Sequence, residues 1–348
     1  MSEQMRAVTF QGPHEVRVDE RSIPEVQRPD EALVRVQATG VCGSDLHIYH
    51  GRVQVEPGFT LGHEYVGTVM SVGDAVTRVA PGDRVAGCFL TACGTCWRCV
   101  RGEYQRCVQS RTFGFGATLG SLQGTQAEYA LVPGANLTLR RVPEAVSDEV
   151  ALFAGDVMAT GYHGVAASEL RVGELAAVLG LGPVGLCAVQ VAVLAGARVV
   201  AVDSVEERLR LAESFGATPL HLREQDVRAE VKALTEDRGG TDVTIDAVGH
   251  PDALELALRL TRECGRVQCL GIYAERAEVH LGLAWLKSLT IRGGQANVIA
   301  HIDPVLAMLA DGRLDPRPLV THRMALDDAA AAYERFDRRE ALKIVLTP

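Results

Sequence analysis

Four cysteines spaced Cys93-x2-Cys96-x2-Cys99-x7-Cys107 constrain this chain more than any other feature. Four thiolates at these gaps can wrap one tetrahedral zinc ion, and a closed four-sulfur shell is the arrangement of a structural site. The intervening residues, among them Gly94, Thr95 and Gly102, bring little apolar surface, so the metal would supply most of the loop's ordering. Ordinary core cysteines do not crowd into a mostly polar stretch. An iron–sulfur cluster is the competing use of four thiolates, and the spacing favours zinc. The chain has nine cysteines; the odd number and the crowding between Cys88 and Cys107 argue against a disulfide framework and for a reducing, cytoplasmic setting.

The second constraint is Gly180-Leu181-Gly182-Pro183-Val184-Gly185. It follows a short apolar strand, Ala176 to Leu179, and opens an apolar helix that runs to Leu194. A second strand, Arg198 to Val202, is closed by Asp203. This is the context a dinucleotide fingerprint requires: the glycines admit a tight turn and close approach to a pyrophosphate, and the helix N-terminus favours its charge. Asp203 would accept hydrogen bonds from an adenosine ribose and repel a 2′-phosphate, which favours NAD over NADP. Arg208 complicates that preference, because an arginine there can meet a 2′-phosphate. From Asp148 onward strands and helices alternate (helix Glu206 to Phe215, strand Asp242 to Asp246, helix Leu254 to Thr261, strand Gly265 to Leu270), which predicts a doubly wound parallel sheet. The first third reads differently. Val8 to Phe10, Ala32 to Ala38, Tyr65 to Val72 and Arg84 to Cys88 are short and β-branched, with turn signals such as Pro81-Gly82-Asp83 between them, and they predict a barrel or sandwich. The tail returns to mixed character, with helices around Pro304 to Ala310 and Leu326 to Phe336 and a last strand, Lys343 to Leu346.

Composition excludes several classes. The length is 348 residues and the net charge −9, from 35 Lys and Arg against 44 Asp and Glu. An acidic chain lacks the basic footprint of a nucleic-acid binder. No run of about 18 apolar residues predicts a membrane span, and Met1 to Val8 has no signal-peptide pattern.

A third signal is dispersed: Cys42-Gly43-Ser44-Asp45-Leu46-His47, then Gly62-His63-Glu64. On spacing alone Cys42 reads as a buried thiol and His63 as a core histidine. Together with the quartet and the fingerprint, in this order along essentially the whole chain, these residues resemble the zinc-dependent medium-chain alcohol dehydrogenases. The resemblance implies a GroES-like β-barrel catalytic domain over residues 1–155 and 295–348 and a Rossmann NAD-binding domain over 156–294. It implies a structural zinc on Cys93, Cys96, Cys99 and Cys107, and a catalytic zinc on Cys42, His63 and Asp156, with Glu64 behind it and able to enter its shell. Asp156 holds the ligand position ahead of Thr160-Gly161-Tyr162, where animal members carry cysteine; bacterial secondary-alcohol and formaldehyde dehydrogenase-like members are similar to this chain there. Without metal, Asp156 would be an acid capping the helix that follows. By the same resemblance Asp45 orients the histidine ligand, Ser44 and His47 relay a proton through the cofactor ribose to solvent, Thr160 lies near the nicotinamide carboxamide, and Lys343 meets the pyrophosphate.

The implied activity is hydride transfer between a small alcohol and NAD, with a polyol or threonine-type dehydrogenase and a formaldehyde dehydrogenase as alternatives within the family. A zinc-free quinone-reductase relative or a crystallin-like binding protein of the same fold should lack Cys42, His63 and the quartet. Phe89 matches an aromatic wall of the alcohol pocket, with Phe113 expected near it, whereas Trp285 and Tyr273 read as packing. A homo-oligomer is implied, with a tetramer favoured over a dimer.

Overall fold

The computed structural model describes residues 3–235 and 238–348; the first two residues of the stretch read for a signal peptide lie outside them. The chain divides into two compact units, Met1–Ala159 with Asn297–Pro348, and Thr160–Ala296.

In the discontinuous unit, a hairpin of Gln4–Gly12 and Glu15–Ser22 stands beside a seven-stranded sheet. That sheet runs His322–Ala325, Ile344–Thr347, Ala32–Val41, Tyr65–Val72, Arg84–Gly87, Leu139–Arg141, with Tyr129–Val132 also pairing with Ala32–Val41. The central strand shows how the sequence makes the site. Its first half alternates, with Ala32, Val34 and Val36 buried and Arg35 exposed, as expected for a strand with one face on a core. A register shift between Val36 and Ala38 breaks the pairing with Tyr65–Val72. Bulges of this kind bend a strand and re-aim its side chains. Beyond it Thr39, Val41 and Cys42 are all buried. Two apolar clusters flank this sheet. One gathers Val8, Ile48, Leu61, Tyr333 and Ile344, the other Val34, Tyr65, Val85, Phe113 and Leu139. Each such side chain contributes about 1.5–3 kcal/mol when fully buried.

The continuous unit has six strands in the order Thr218–His221, Arg198–Asp203, Leu175–Leu179, Thr241–Asp246, Thr261–Cys269, Thr290–Gly293. Every neighbouring pair is parallel. Numbered from its own first strand this is 3-2-1-4-5-6, the dinucleotide-binding order, with its switch point between the first and fourth strands. Leu175–Leu179 and Thr241–Asp246 are buried at every residue, as central parallel strands are. The helix Pro183–Leu194 is apolar nearly all round and buried from Gly185 to Ala192.

Six strands escaped the sequence reading, Tyr129–Val132, Thr290–Gly293 and His322–Ala325 among them, and the other three did so for plain physical reasons. Glu15–Ser22 is charged on alternate residues and pairs with one neighbour only. Thr218–His221 contains Pro219 but lies at the sheet edge, where a missing N–H is tolerated. Leu139–Arg141 is only three residues long. No helix among the described residues is long and apolar enough to cross a membrane.

Candidate metal and cofactor sites

Cys42 closes the bulged central strand, and His63 and Glu64 immediately precede its partner strand Tyr65–Val72. Asp156 lies between the turn Leu152–Gly155 and the helix Val157–Ala167. These positions bring one donor atom each from Cys42, His63, Glu64 and Asp156 within 4.8 Å of one another, all four residues buried. Cys42 Sγ is 3.4 Å and His63 Nε2 3.2 Å from Asp156 Oδ2. A thiolate, an imidazole and carboxylates are donors that suit zinc. Burial, helped by the charges of Asp156 and Glu64, pushes the Cys42 thiol up; burial would also keep His63 neutral, but the Asp45 and Asp156 carboxylates overcome it and hold the His63 pKa well above the usual value. Burial likewise lifts Glu64 to about 7 against the pull of Lys343. Burial would raise Asp156 too, but hydrogen bonding and charge from His63 bring it down to about 2. So many acids converging in a buried pocket fit a divalent cation.

The surroundings fix these donors. Asp45 Oδ1 is 3.1 Å from His63 Nδ1, while its Oδ2 accepts from the Cys42 N–H at 2.9 Å. Ser44 Oγ lies 3.1 Å from His63 Nε2. The same short helix, Asp45–Tyr49, carries His47, half-buried, whose pKa is lowered by burial and then by the charges of Arg52 and His50.

Lys343, expected at a pyrophosphate, is corrected by its burial. Its ammonium donates to Glu64 and to the Val41 carbonyl, with no exposed surface left to meet a cofactor. Gly40 makes room for that pair, since a Cβ there would stand 2.0 Å from Glu64 Oε2. Phe89 sits edge-on to His63, at a centroid distance of 6.3 Å. Phe113 does not join it: it packs against Tyr65 in the core, and Phe115 faces His63 at 5.6 Å instead. The intervening Gly114, at φ +75°, turns the chain and separates the two rings. Gln126 was also missed. Its amide donates to Gly40 O and accepts from Tyr333 Oη at 2.8 Å, and nothing local in sequence marks it.

In the cysteine loop the sulfurs of Cys93 and Cys107 are 3.5 Å apart and those of Cys96 and Cys107 3.9 Å, where sulfurs about 2.3 Å from a tetrahedral zinc would stand about 3.8 Å apart. Backbone N–H groups point at them: Cys96 N to Cys93 Sγ at 3.4 Å, Cys93 N and Gln109 N to Cys107 Sγ at 3.2 and 3.3 Å. Hydrogen bonds from Val108 and Cys99 bring the Cys96 thiol down to about 6, while burial pushes Cys99 up to about 12. All nine cysteines are free thiols.

In the other unit Gly180 takes φ +83°, and a Cβ on Gly185 would lie 1.9 Å from the Gly180 carbonyl, so turn and helix can approach only with glycine at both. Gly182, the N-cap, has nothing within 4 Å of where a Cβ would be. Pro183 starts the helix and Val184 follows it. This open N-terminus fits a phosphate. Asp203 accepts from the Leu181 N–H at 2.6 Å and from Ser204 and Val205 at 2.7 and 3.0 Å, so it fastens the glycine turn to the second strand. A carboxylate offers about four lone-pair positions, which leaves one for a ligand. Arg208 Nη1 is 3.9 Å from Asp203 Oδ2. Thr160 lies in the helix Val157–Ala167. Tyr273 donates to Asp246, but Trp285 stands 83% exposed and packs little of its surface, against the expectation.

Comparison with known proteins agrees with both halves. Residues 28–144 match the sequence model of the alcohol dehydrogenase GroES-like domain, and residues 183–311 that of the zinc-binding dehydrogenases. An alcohol dehydrogenase of Cupriavidus necator is 34% identical over 385 residues, covering 100% of each chain. Among solved structures, the alcohol dehydrogenase TADH from Thermus sp. ATN1 superposes with a TM-score of 0.95 at 45% identity over 99% of each chain. A zinc-binding dehydrogenase from Sinorhizobium meliloti bound to NADP does so with 0.87 at 31% over 100% of each. The chain therefore belongs to the zinc-dependent medium-chain alcohol dehydrogenase family, oxidoreductases of zinc and nicotinamide chemistry.

Proposed function

We propose that this chain oxidises a small, largely apolar alcohol to the aldehyde or ketone with NAD, and runs the reverse reduction with NADH. The observation that carries the reading is the buried convergence of Cys42, His63, Glu64 and Asp156. In this reading Cys42, His63 and Asp156 are the ligands of a catalytic zinc and Glu64 its reserve. When bound, zinc lowers the pKa of the substrate hydroxyl as a Lewis acid, and the nicotinamide accepts the hydride.

The protein's own residues do the rest. Asp45 Oδ1, 3.1 Å from His63 Nδ1, orients the ring by its charge and leaves Nε2 directed at the cluster. Ser44 Oγ, beside Nε2, takes the hydroxyl proton. His47, kept neutral by its burial, is the base that passes it outward. Phe89 and Phe115 wall the His63 side and exclude water, which strengthens each charge interaction inside. Lys343 neutralises Glu64. The four cysteines hold a second, structural zinc. Gly180 to Gly185 would hold the pyrophosphate, Asp203 would favour NAD over NADP despite Arg208, and Thr160 would meet the nicotinamide.

The protein is read as a cytoplasmic homo-oligomer, a tetramer. The surface that supports association is the edge strand Thr290–Gly293, exposed at all four residues, with Leu281 and Trp285 exposed on the preceding helix. Unpaired edges with apolar neighbours are natural joining surfaces.

The test is steady-state oxidation of a panel of short alcohols with NAD, before and after chelation, with metal analysis. About two zinc ions per chain and loss of turnover on chelation are expected; full turnover by metal-free protein would overturn the reading.

A further inference from the structure

Among the described residues a third group of metal-ligating side chains lies outside both clusters: His14, His50 and Asp337, with one donor atom from each within 4.8 Å of the others. We propose that these three bind a divalent ion of the late first-row series, with zinc as reference, at the surface of the discontinuous unit.

Three separate segments deliver the donors. His14 occupies the turn between Gln4–Gly12 and Glu15–Ser22, at φ +63°, a left-handed conformation rare for residues with a side chain. Its N–H donates to the Tyr49 carbonyl at 2.6 Å. That turn swings its ring onto His50, at a centroid distance of 5.0 Å and a 44° tilt. His50 is the C-cap of Asp45–Tyr49, and Asp337 is the last residue of the helix Ala329–Asp337. His50 Nε2 lies 2.7 Å from Asp337 Oδ1, while its Nδ1 is buried with no hydrogen-bond partner. Ligand atoms about 2.0–2.1 Å from a tetrahedral zinc stand about 3.4 Å apart, so small side-chain rotations close the set. Two imidazoles and one carboxylate form a facial set with open positions for water, chemistry that suits zinc, nickel or copper over magnesium or calcium. His14 is exposed and the other two are half-buried, so an ion can enter from solvent. Bound there, it would fasten the N-terminal hairpin and the helix bearing Asp45 and His47 to the C-terminal helix.

The experiment starts from holoenzyme dialysed to its resting metal content and titrates it with Zn2+ alone by calorimetry. One further equivalent per chain at micromolar free zinc is expected. His14→Asn, which tolerates the left-handed backbone, should weaken that equivalent at least tenfold and leave metal-free-buffer turnover unchanged. His50→Gln and Asp337→Asn should weaken it similarly. His250→Gln, on the other unit, should not. Cu2+ bound at the same stoichiometry should show nitrogen coupling in its paramagnetic resonance, reduced in His14→Asn. If wild type takes up no extra equivalent, takes it only at millimolar zinc, or retains it in a folded His14→Asn/His50→Gln protein, the three side chains are a hydrogen-bonded cluster and the proposal is overturned.

Discussion

In the cysteine loop four sulfurs come from one short run of chain, Cys93 to Cys107, whose helical pieces are no longer than four residues. In the mixed cluster the donors come from three stretches, at positions 42, 63–64 and 156, each pinned by a strand or a helix. Cys93 and Cys96 are half-exposed, whereas every donor of the mixed cluster is buried. The local loop is short and half-exposed at Cys93 and Cys96, so under the proposed reading its geometry would depend on the ion. The dispersed set is positioned by packing, by Asp45 on His63 and by Lys343 on Glu64, so under the proposed reading it would keep its shape with one metal position left for substrate.

The sharpest way to break this contrast is at the mixed cluster. His63→Ala or Asp156→Ala should lower kcat/KM at least a thousandfold, about 4 kcal/mol, with little change in melting temperature; turnover within tenfold of wild type would deny the site its proposed role. Cys93→Ser should do the reverse. One zinc equivalent should be lost, the melting temperature should fall by roughly 5–10 °C for about 3 kcal/mol, and the turnover of folded protein should drop less than tenfold; unchanged melting with lost turnover would invert the comparison. Next in size, Asp203→Ser should reduce the preference for NAD over NADP by roughly 10- to 100-fold, the worth of one hydrogen bond to a charged group. Kinetics with both cofactors check this.

The smallest effect separates scaffold from metal. Asp242 is pushed up by burial, but the Leu175 N–H and Arg262, at 2.8 and 2.7 Å, with Arg238, bring it below the usual carboxylate range. Its folded pKa is thus below its unfolded one, so its stabilisation is complete above the unfolded value and disappears as pH falls through the folded one. Asp242→Asn should cost about 1–2 kcal/mol at neutral pH and flatten the acid limb of the unfolding curve, with metal content unchanged. An unaltered pH profile would show that Asp242 contributes nothing.

How much was legible follows the same contrast. The quartet and the glycine turn are local, so their spacing carries their meaning. The parallel sheet was legible because short strands such as the apolar Leu175–Leu179 and the valine-rich Arg198–Asp203 alternate with helices. The mixed cluster was visible only through resemblance, because no spacing rule links position 63 to position 156. Lys343 was misread for a related reason: a terminal lysine normally reaches solvent, and only the pairing of Ile344–Thr347 with Ala32–Val41 turns it inward. The swap of Phe115 for Phe113 rests on one glycine's backbone angle, which the pattern Phe-Gly-Phe does not reveal.

That terminal strand has a consequence for biosynthesis. Ile344–Thr347 wedges between His322–Ala325 and Ala32–Val41, and its neighbour Lys343 is the cation that balances Glu64. A chain emerging from the ribosome N-terminus first would finish Thr160–Ala296 while the acidic pocket still lacked its counter-charge. Deleting residues 343–348 should therefore strip Glu64 of its buried partner before it disturbs the parallel sheet of Thr160–Ala296.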